Sequence, residues 1–154
     1  MDTTPITARL SQIQRSLRLL RELQPASRDE FVGNGFLSST GERQLHLVIQ
    51  AAIDIGQYVL TEQGVSGVRD YADVFAQLGR TGLLPESFAA RMAEMARFRN
   101  VLVHLYAEVD LDRVYSYIQN DLGDFETFAN HVVAYLDRAN QETQAATIQR
   151  EKKT

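Results

Sequence analysis

Residues 45–60 read LHLVIQAAIDIGQYVL, and this stretch carries the clearest information about the architecture of the chain. Its apolar residues recur three and four positions apart, which is the spacing of an α-helix, and together they cover most of the helix circumference. They are Leu45, Val48, Ile49, Ala52, Ile53, Ile55 and Val59. A helix that is apolar on nearly every side must be packed on nearly every side. The stretch therefore predicts a central helix that begins near Ser39 or Thr40 and runs to about Glu62.

Four further segments have apolar residues at helical spacing, and no segment alternates for long enough to predict a strand. These segments lie at residues 6–20, 70–79, 85–105 and 110–139. The sequence thus predicts an all-α, up-and-down bundle of four to five helices. We expect one domain at residues 1–139 and a polar C-terminal tail at residues 140–154. Residues 26–40 predict a loop with at most one helical turn, because they contain Gly33 and Gly35.

The composition is that of an ordinary globular domain, with 154 residues of which 44% are hydrophobic and 23% charged. The chain has no cysteine, which excludes disulfides, zinc-thiolate sites and cysteine nucleophiles. No apolar run approaches the roughly 20 residues that span a bilayer. Residues 1–5 also lack the basic and apolar regions of a signal peptide. We therefore expect a cytoplasmic protein that does not associate with a membrane.

The charged residues are unevenly distributed along the chain. The net charge of −4 argues against a general nucleic-acid coat, but residues 1–28 carry a net +3 and residues 105–137 a net −6. Fourteen of the sixteen basic residues are Arg, the side chain suited to bidentate contacts with phosphates. A GC-rich genome produces the same bias, so the composition alone leaves both explanations open.

The predicted central helix also carries a polar stripe formed by His46, Gln50, Asp54 and Gln57. The simplest interpretation is that this stripe is the wetter face of the helix. Asp54 interrupts an apolar run and is expected to be half-buried, as a cap or an ion-pair partner rather than as a catalytic acid. His131, in the last predicted helix, is interpreted as a surface or boundary residue.

Residues 97–106, RFRNVLVHLY, are the most informative for function. Arg99 lies on the same side of its predicted helix as Phe88 and Met92, where a guanidinium is costly unless it is paired or lies at the edge of the core. His104 lies on the opposite side. The two converge on one ligand only if the helix ends between them or a second copy of the chain contributes.

A helix break after about Leu102 is plausible, because Val101 and Val103 are mediocre helix formers and Asp110 has the pattern of an N-cap. An Arg and a His together suit phosphodiester chemistry without a metal ion. Histidine exchanges protons near neutral pH, and arginine stabilises charge on a pentacoordinate phosphate. Because RNA carries its own nucleophile, the 2′-OH, such a pair would cleave RNA and leave DNA intact.

The sequence resembles the HepT-like (DUF86) family of the HEPN superfamily at this stretch. Residues 99–106 match the family motif Arg-x4-His-x-Tyr, with the polar Asn100 directly after the arginine. Flanking segments agree in the same order, and the resemblance covers residues 5–137. They include AAIDIG at 51–56, YADVFAQLG at 71–79, GLLP at 82–85, VD at 109–110 and VY at 114–115.

The resemblance implies a HEPN homodimer in which two Arg-x4-His motifs face one cleft. It implies a metal-independent endoribonuclease toxin of a type VII toxin–antitoxin module, with no cofactor. Arg99 would stabilise phosphate charge, His104 would be the general acid and base, and Asn100 would orient the site. The partner would be a minimal nucleotidyltransferase (MNT) antitoxin, which silences the toxin by transferring AMP from ATP to Tyr106.

Two other interpretations remain open from the sequence. The chain could be a non-catalytic HEPN module that recruits a nucleotidyltransferase without cleaving RNA. It could also be a helical structural protein in which the motif occurs by chance. RNA cleavage in the presence of a chelator separates the first interpretation from the nuclease, and a monomeric state would favour the second.

Overall fold

The structure is a computed structural model that describes residues 1–103 and 108–153. Within these ranges the chain forms seven helices and no strand, so the predicted all-α class is confirmed. The helices are α1 (Thr4–Leu23), α2 (Arg28–Gly33), α3 (Gly35–Glu62), α4 (Tyr71–Arg80), α5 (Glu86–Val103), α6 (Leu111–Asn120) and α7 (Leu122–Lys152). Seven helices replace the predicted four to five, because α2 forms within the predicted loop and the last predicted helix is divided into α6 and α7.

Helix α3 is the central element, as its sequence predicted. In the described part of the chain it contacts each of the other six helices, most extensively α1. The contact with α4 is especially close at Gly56, where a Cβ atom would lie 2.5 Å from Cγ1 of Val74. Glycine is therefore required there for the two helices to approach, and the approach brings Tyr71 at the start of α4 close to α3 and α5.

The boundary between α2 and α3 differs from the predicted loop at residues 26–40. Helix α2 begins with a capping box, in which Ser27 and Glu30 each bond the backbone N–H of the other. Helix α3 begins at Gly35, several residues before the predicted start, because the Asn34 side chain accepts hydrogen bonds from the N–H groups of Phe36 and Leu37. The two glycines thus flank an N-cap rather than a long loop.

The last predicted helix is divided at Asp121. This residue leaves helical geometry, with φ −122° and ψ 5°, and ends α6 before α7 begins at Leu122. Asp110 is the N-cap of α6, as predicted, and its carboxylate accepts from the N–H of Arg113. Helix α7 then continues to Lys152, so residues 140–152 of the predicted polar tail are helical and exposed.

The opposite charges of the two ends of the chain meet in ion pairs. Arg21 pairs with Glu126 of α7. Arg28 binds Asp112 of α6 through two hydrogen bonds of 2.5 and 3.0 Å. Two arginines of the basic N-terminal segment thus have acidic partners within the same chain. Within the described residues, no helix is both long enough and apolar enough to cross a membrane.

Candidate functional site

Arg99 lies near the end of α5, half-buried at the edge of the core. Its Nε–H donates to Oε1 of Gln50 on α3 at 2.8 Å. Its guanidinium carbon lies 5.0 Å from the centre of the Tyr71 ring, which is a cation–π contact. Both interpretations of the sequence therefore apply: the arginine is on the packed side of α5, and it is also at an edge with partners that satisfy it.

Gln50 joins Arg99 to a chain of polar groups that crosses three helices. Its Nε2–H donates to Oδ1 of Asp54 at 2.8 Å, one turn further along α3. The other carboxylate oxygen of Asp54 accepts from Nε of Arg9 on α1 at 3.0 Å. Asp54 is thus half-buried and an ion-pair partner, as its sequence context predicted.

Sequence reasoning missed the role of this polar stripe. The stripe is the wetter face of α3, as interpreted, since its residues are half-buried or exposed, but α5 packs at its edge and places Arg99 on Gln50. A spacing of one turn between polar residues on an otherwise buried helix was the available signal. It did not reveal the partner, because Arg99 lies 49 positions away in the sequence.

His46 lies one turn before Gln50 on the same stripe and is also half-buried. Its Nε2 atom is buried and has no hydrogen-bond partner among the described residues. Burial lowers the pKa of His46, and the positive charges of Arg99 and Arg43 lower it further. These causes favour the neutral form of the imidazole.

The structure describes only some of the other residues that the sequence singled out. Asn100 is exposed, and its Oδ1 accepts a long hydrogen bond of 3.4 Å from Nη1 of Arg99. His104 and Tyr106 lie outside the described residues, so their distances to Arg99 stay predictions. His131 is half-buried and contacts the ring of Phe88, as expected of a boundary residue.

A groove of about 480 Å³ has Tyr71 in its lining. It lies between the end of α3 and the loop that precedes α4, and it is lined by Gln57, Thr61, Ser66, Arg69 and Tyr71, among others. Its walls combine hydroxyl, amide and guanidinium groups with the Asp70 carboxylate, the Tyr71 ring and apolar side chains. The groove therefore carries charged groups of both signs, and it shares the Tyr71 ring with Arg99.

The chemistry available at the site is that of a fixed cation. Among the residues that the structure describes, Nη2 of Arg99 has no acceptor, so its N–H groups remain available to an anion. In the same ranges, no group of three or more His, Asp or Glu side chains is arranged to hold a metal ion. An oxyanion such as a phosphate is the ligand that a guanidinium in this position would take.

Comparison with known proteins identifies one matching family, two nucleases that are similar in sequence, and solved structures with a similar fold. A family model described as ribonuclease HepT-like matches residues 13–132. The tRNA nuclease HepT of Aphanizomenon flos-aquae is 28% identical over 137 residues, covering 89% of this chain and 93% of that protein. The mRNA nuclease HepT of Shewanella oneidensis is 25% identical over 129 residues, covering 84% and 96%.

The solved structures include a tri-AMPylated HEPN toxin of Shewanella oneidensis in complex with its MNT antitoxin. It superimposes on this chain with a TM-score of 0.78 and 25% sequence identity, covering 87% of this chain and 99% of the toxin. The agreement over nearly the whole length confirms the HEPN-like helical fold that the sequence resemblance implied.

Proposed function

This chain belongs to the HepT-like family, and on that premise we propose that it is an endoribonuclease that acts as the toxin of a toxin–antitoxin pair. The observation that carries the proposal is the state of Arg99, the first residue of the Arg-x4-His motif. The guanidinium is held by Gln50 and Tyr71, while Nη2 has no acceptor in the described part of the chain. A cation fixed in this way is suited to the charge that develops on a phosphate during transfer.

The proposed reaction needs no metal ion, because RNA supplies its own nucleophile. His104, as general base, removes the proton from a 2′-OH, and that oxygen bonds to the adjacent phosphorus. The bond from phosphorus to the 5′-oxygen then breaks, and this leaving oxygen takes a proton from a histidine acting as general acid. The products are a 2′,3′-cyclic phosphate and a 5′-hydroxyl. Arg99 stabilises the pentacoordinate phosphate between them.

A homodimer would complete this site. Internal attack requires a base on one side of the phosphorus and an acid on the other. Two copies of His104, one from each subunit, supply both in a cleft shared across the interface. Asn100, which is exposed and bonded to Arg99, would orient the guanidinium from the solvent side.

The proposed antitoxin is a minimal nucleotidyltransferase that transfers AMP from ATP to the hydroxyl of Tyr106. The support for this is the similar toxin of Shewanella oneidensis, which was solved in a tri-AMPylated form with its MNT antitoxin. The AMP unit on Tyr106 adds a negative phosphate two residues from His104 in the sequence. That phosphate would pair with Arg99 and occupy the place of the RNA phosphate.

Cleavage of RNA by the purified protein in EDTA tests the proposal. We expect Arg99→Ala and His104→Ala each to lower the cleavage rate by about 100-fold or more, the usual cost of removing such groups. Arg97→Ala is the matched control, since Arg97 is exposed on the same helix and paired with Glu94. Intact RNA with the wild-type protein, combined with AMP transfer to Tyr106 by the partner, would instead identify a non-catalytic module that recruits the transferase.

A further inference from the structure

We propose that Gln50 is a positioning residue that fixes the guanidinium of Arg99 for the scissile phosphate. The inference rests on the proposed function for its consequence in catalysis. It stands on a separate observation, the continuous polar chain from Arg99 through Gln50 and Asp54 to Arg9.

The first step is what Gln50 does to the arginine. A free arginine side chain samples many rotamers, and ordering it costs conformational entropy. Gln50 binds Nε, and the Tyr71 ring covers one face of the guanidinium. These two contacts fix the plane of the group but leave Nη2 without an acceptor among the described residues. Gln50 thus orders the Arg99 side chain before a phosphate binds and leaves donors available for that phosphate.

The second step concerns charge. The acceptor on Nε is a neutral amide oxygen, so Gln50 orients Arg99 without neutralising it. A carboxylate in this position would form an ion pair and compete with the phosphate for the guanidinium. The carboxylate in this series of polar contacts belongs to Asp54, which bonds to Gln50 and not to Arg99. Arg9 compensates its charge.

The third step is the orientation of the amide itself. An amide turned by 180° would place its NH2 group against the N–H of Arg99, and two donors would then face each other. Asp54 prevents this, because its Oδ1 accepts from Nε2 of Gln50 at 2.8 Å. Only one orientation satisfies both neighbours, so Asp54 and Arg9 hold Gln50 as Gln50 holds Arg99.

The test measures cleavage by Gln50→Leu, which keeps the side-chain size but loses both hydrogen bonds. Gln44→Leu is the matched control, since Gln44 is half-buried on a different face of the same helix. We expect Gln50→Leu to lower kcat about 10-fold or more with little change in KM, and Gln44→Leu to leave both unchanged. In an Arg99→Ala background, Gln50→Leu should have no further effect. An equal loss in both backgrounds would mean a general structural defect and would overturn the proposal.

A second readout does not depend on activity. The Nε–H of Arg99 gives an NMR signal whose exchange with water is slowed by its bond to Gln50. We expect exchange at least 10-fold faster in Gln50→Leu and unchanged in Gln44→Leu. Equal exchange in the wild type and Gln50→Leu would contradict the positioning role. If the wild type leaves RNA intact while this NMR difference is present, then the proposed function fails and the link between Gln50 and Arg99 stands.

Discussion

The ring of Phe98 stacks on the ring of Tyr117, with 4.8 Å between the ring centres and 30° between the planes. The guanidinium of Arg113 lies 4.6 Å from the centre of the Phe98 ring and adds a cation–π contact. Phe98 is fully buried and directly precedes Arg99. The turn that carries the candidate catalytic arginine is therefore held against α6, the helix that follows the motif.

Replacing this ring should destabilise the protein. We expect Phe98→Leu to lower the free energy of unfolding by about 1–2 kcal/mol, because it loses the stacking, the cation–π contact and part of the buried volume. Urea denaturation followed by circular dichroism measures the change. Phe36→Leu is the control, since Phe36 is 87% exposed and should alter stability little. Equal urea midpoints for the wild type and Phe98→Leu would contradict this role of the aromatic pair.

Asp73 is a second stabilising group, in the first turn of α4, and it exposes only 5% of its surface. Its carboxylate accepts the backbone N–H of Arg69 at 3.1 Å and pairs with the Arg69 guanidinium at 3.5 Å. The hydrogen bond from the Arg69 backbone is the main cause that lowers the pKa of Asp73 from its ordinary value of 3.8. The ionised form is thus favoured in the folded protein.

This pKa shift predicts how stability depends on pH. A carboxylate whose pKa is lower when folded contributes fully above the unfolded pKa, and the contribution is lost as pH falls through the folded value. At pH 7 we expect Asp73→Asn to be less stable by about 1–2 kcal/mol. The difference should shrink below about pH 4. Urea denaturation at several pH values measures it, with the exposed Asp137→Asn as control. A difference that stays constant down to pH 2 would exclude the charge as its origin.

The sequence was a good guide to where the longer helices form and a poor guide to two of the helix boundaries. The break at Asp121 was not predictable from periodicity, since Ile118 and Leu122 continue one apolar stripe across it and both are buried. The early start of α3 was missed because Gly33 and Gly35 indicated a loop, whereas Asn34 between them is an N-cap. In both places a single backbone conformation decides the boundary, and hydrophobic spacing does not report it.

The residues of the candidate site also differ in how far the sequence predicts their placement. The placement of Arg99 on the packed side of α5 was predictable from helical periodicity, and its catalytic role stays a prediction. Gln50 was not predictable, because a polar residue on α3 is equally consistent with a hydrated face. Only the packing of α5 on α3 distinguishes the two interpretations. The roles of His104 and Tyr106 stay predictions that rest on the family motif.

The role of Tyr106 can be separated from that of the rest of the motif by removing a single hydroxyl group. We expect Tyr106→Phe to cleave RNA at a rate within about 3-fold of the wild type, because the proposed chemistry uses Arg99 and His104. It should no longer be silenced by the nucleotidyltransferase, because the acceptor oxygen for AMP is gone. Intact-mass spectrometry after co-expression measures the transfer, and cell growth measures the silencing. Tyr135→Phe, on the half-buried face of α7, is the control and should gain AMP as the wild type does. Whole AMP units on the Tyr106→Phe protein would place the acceptor at another residue.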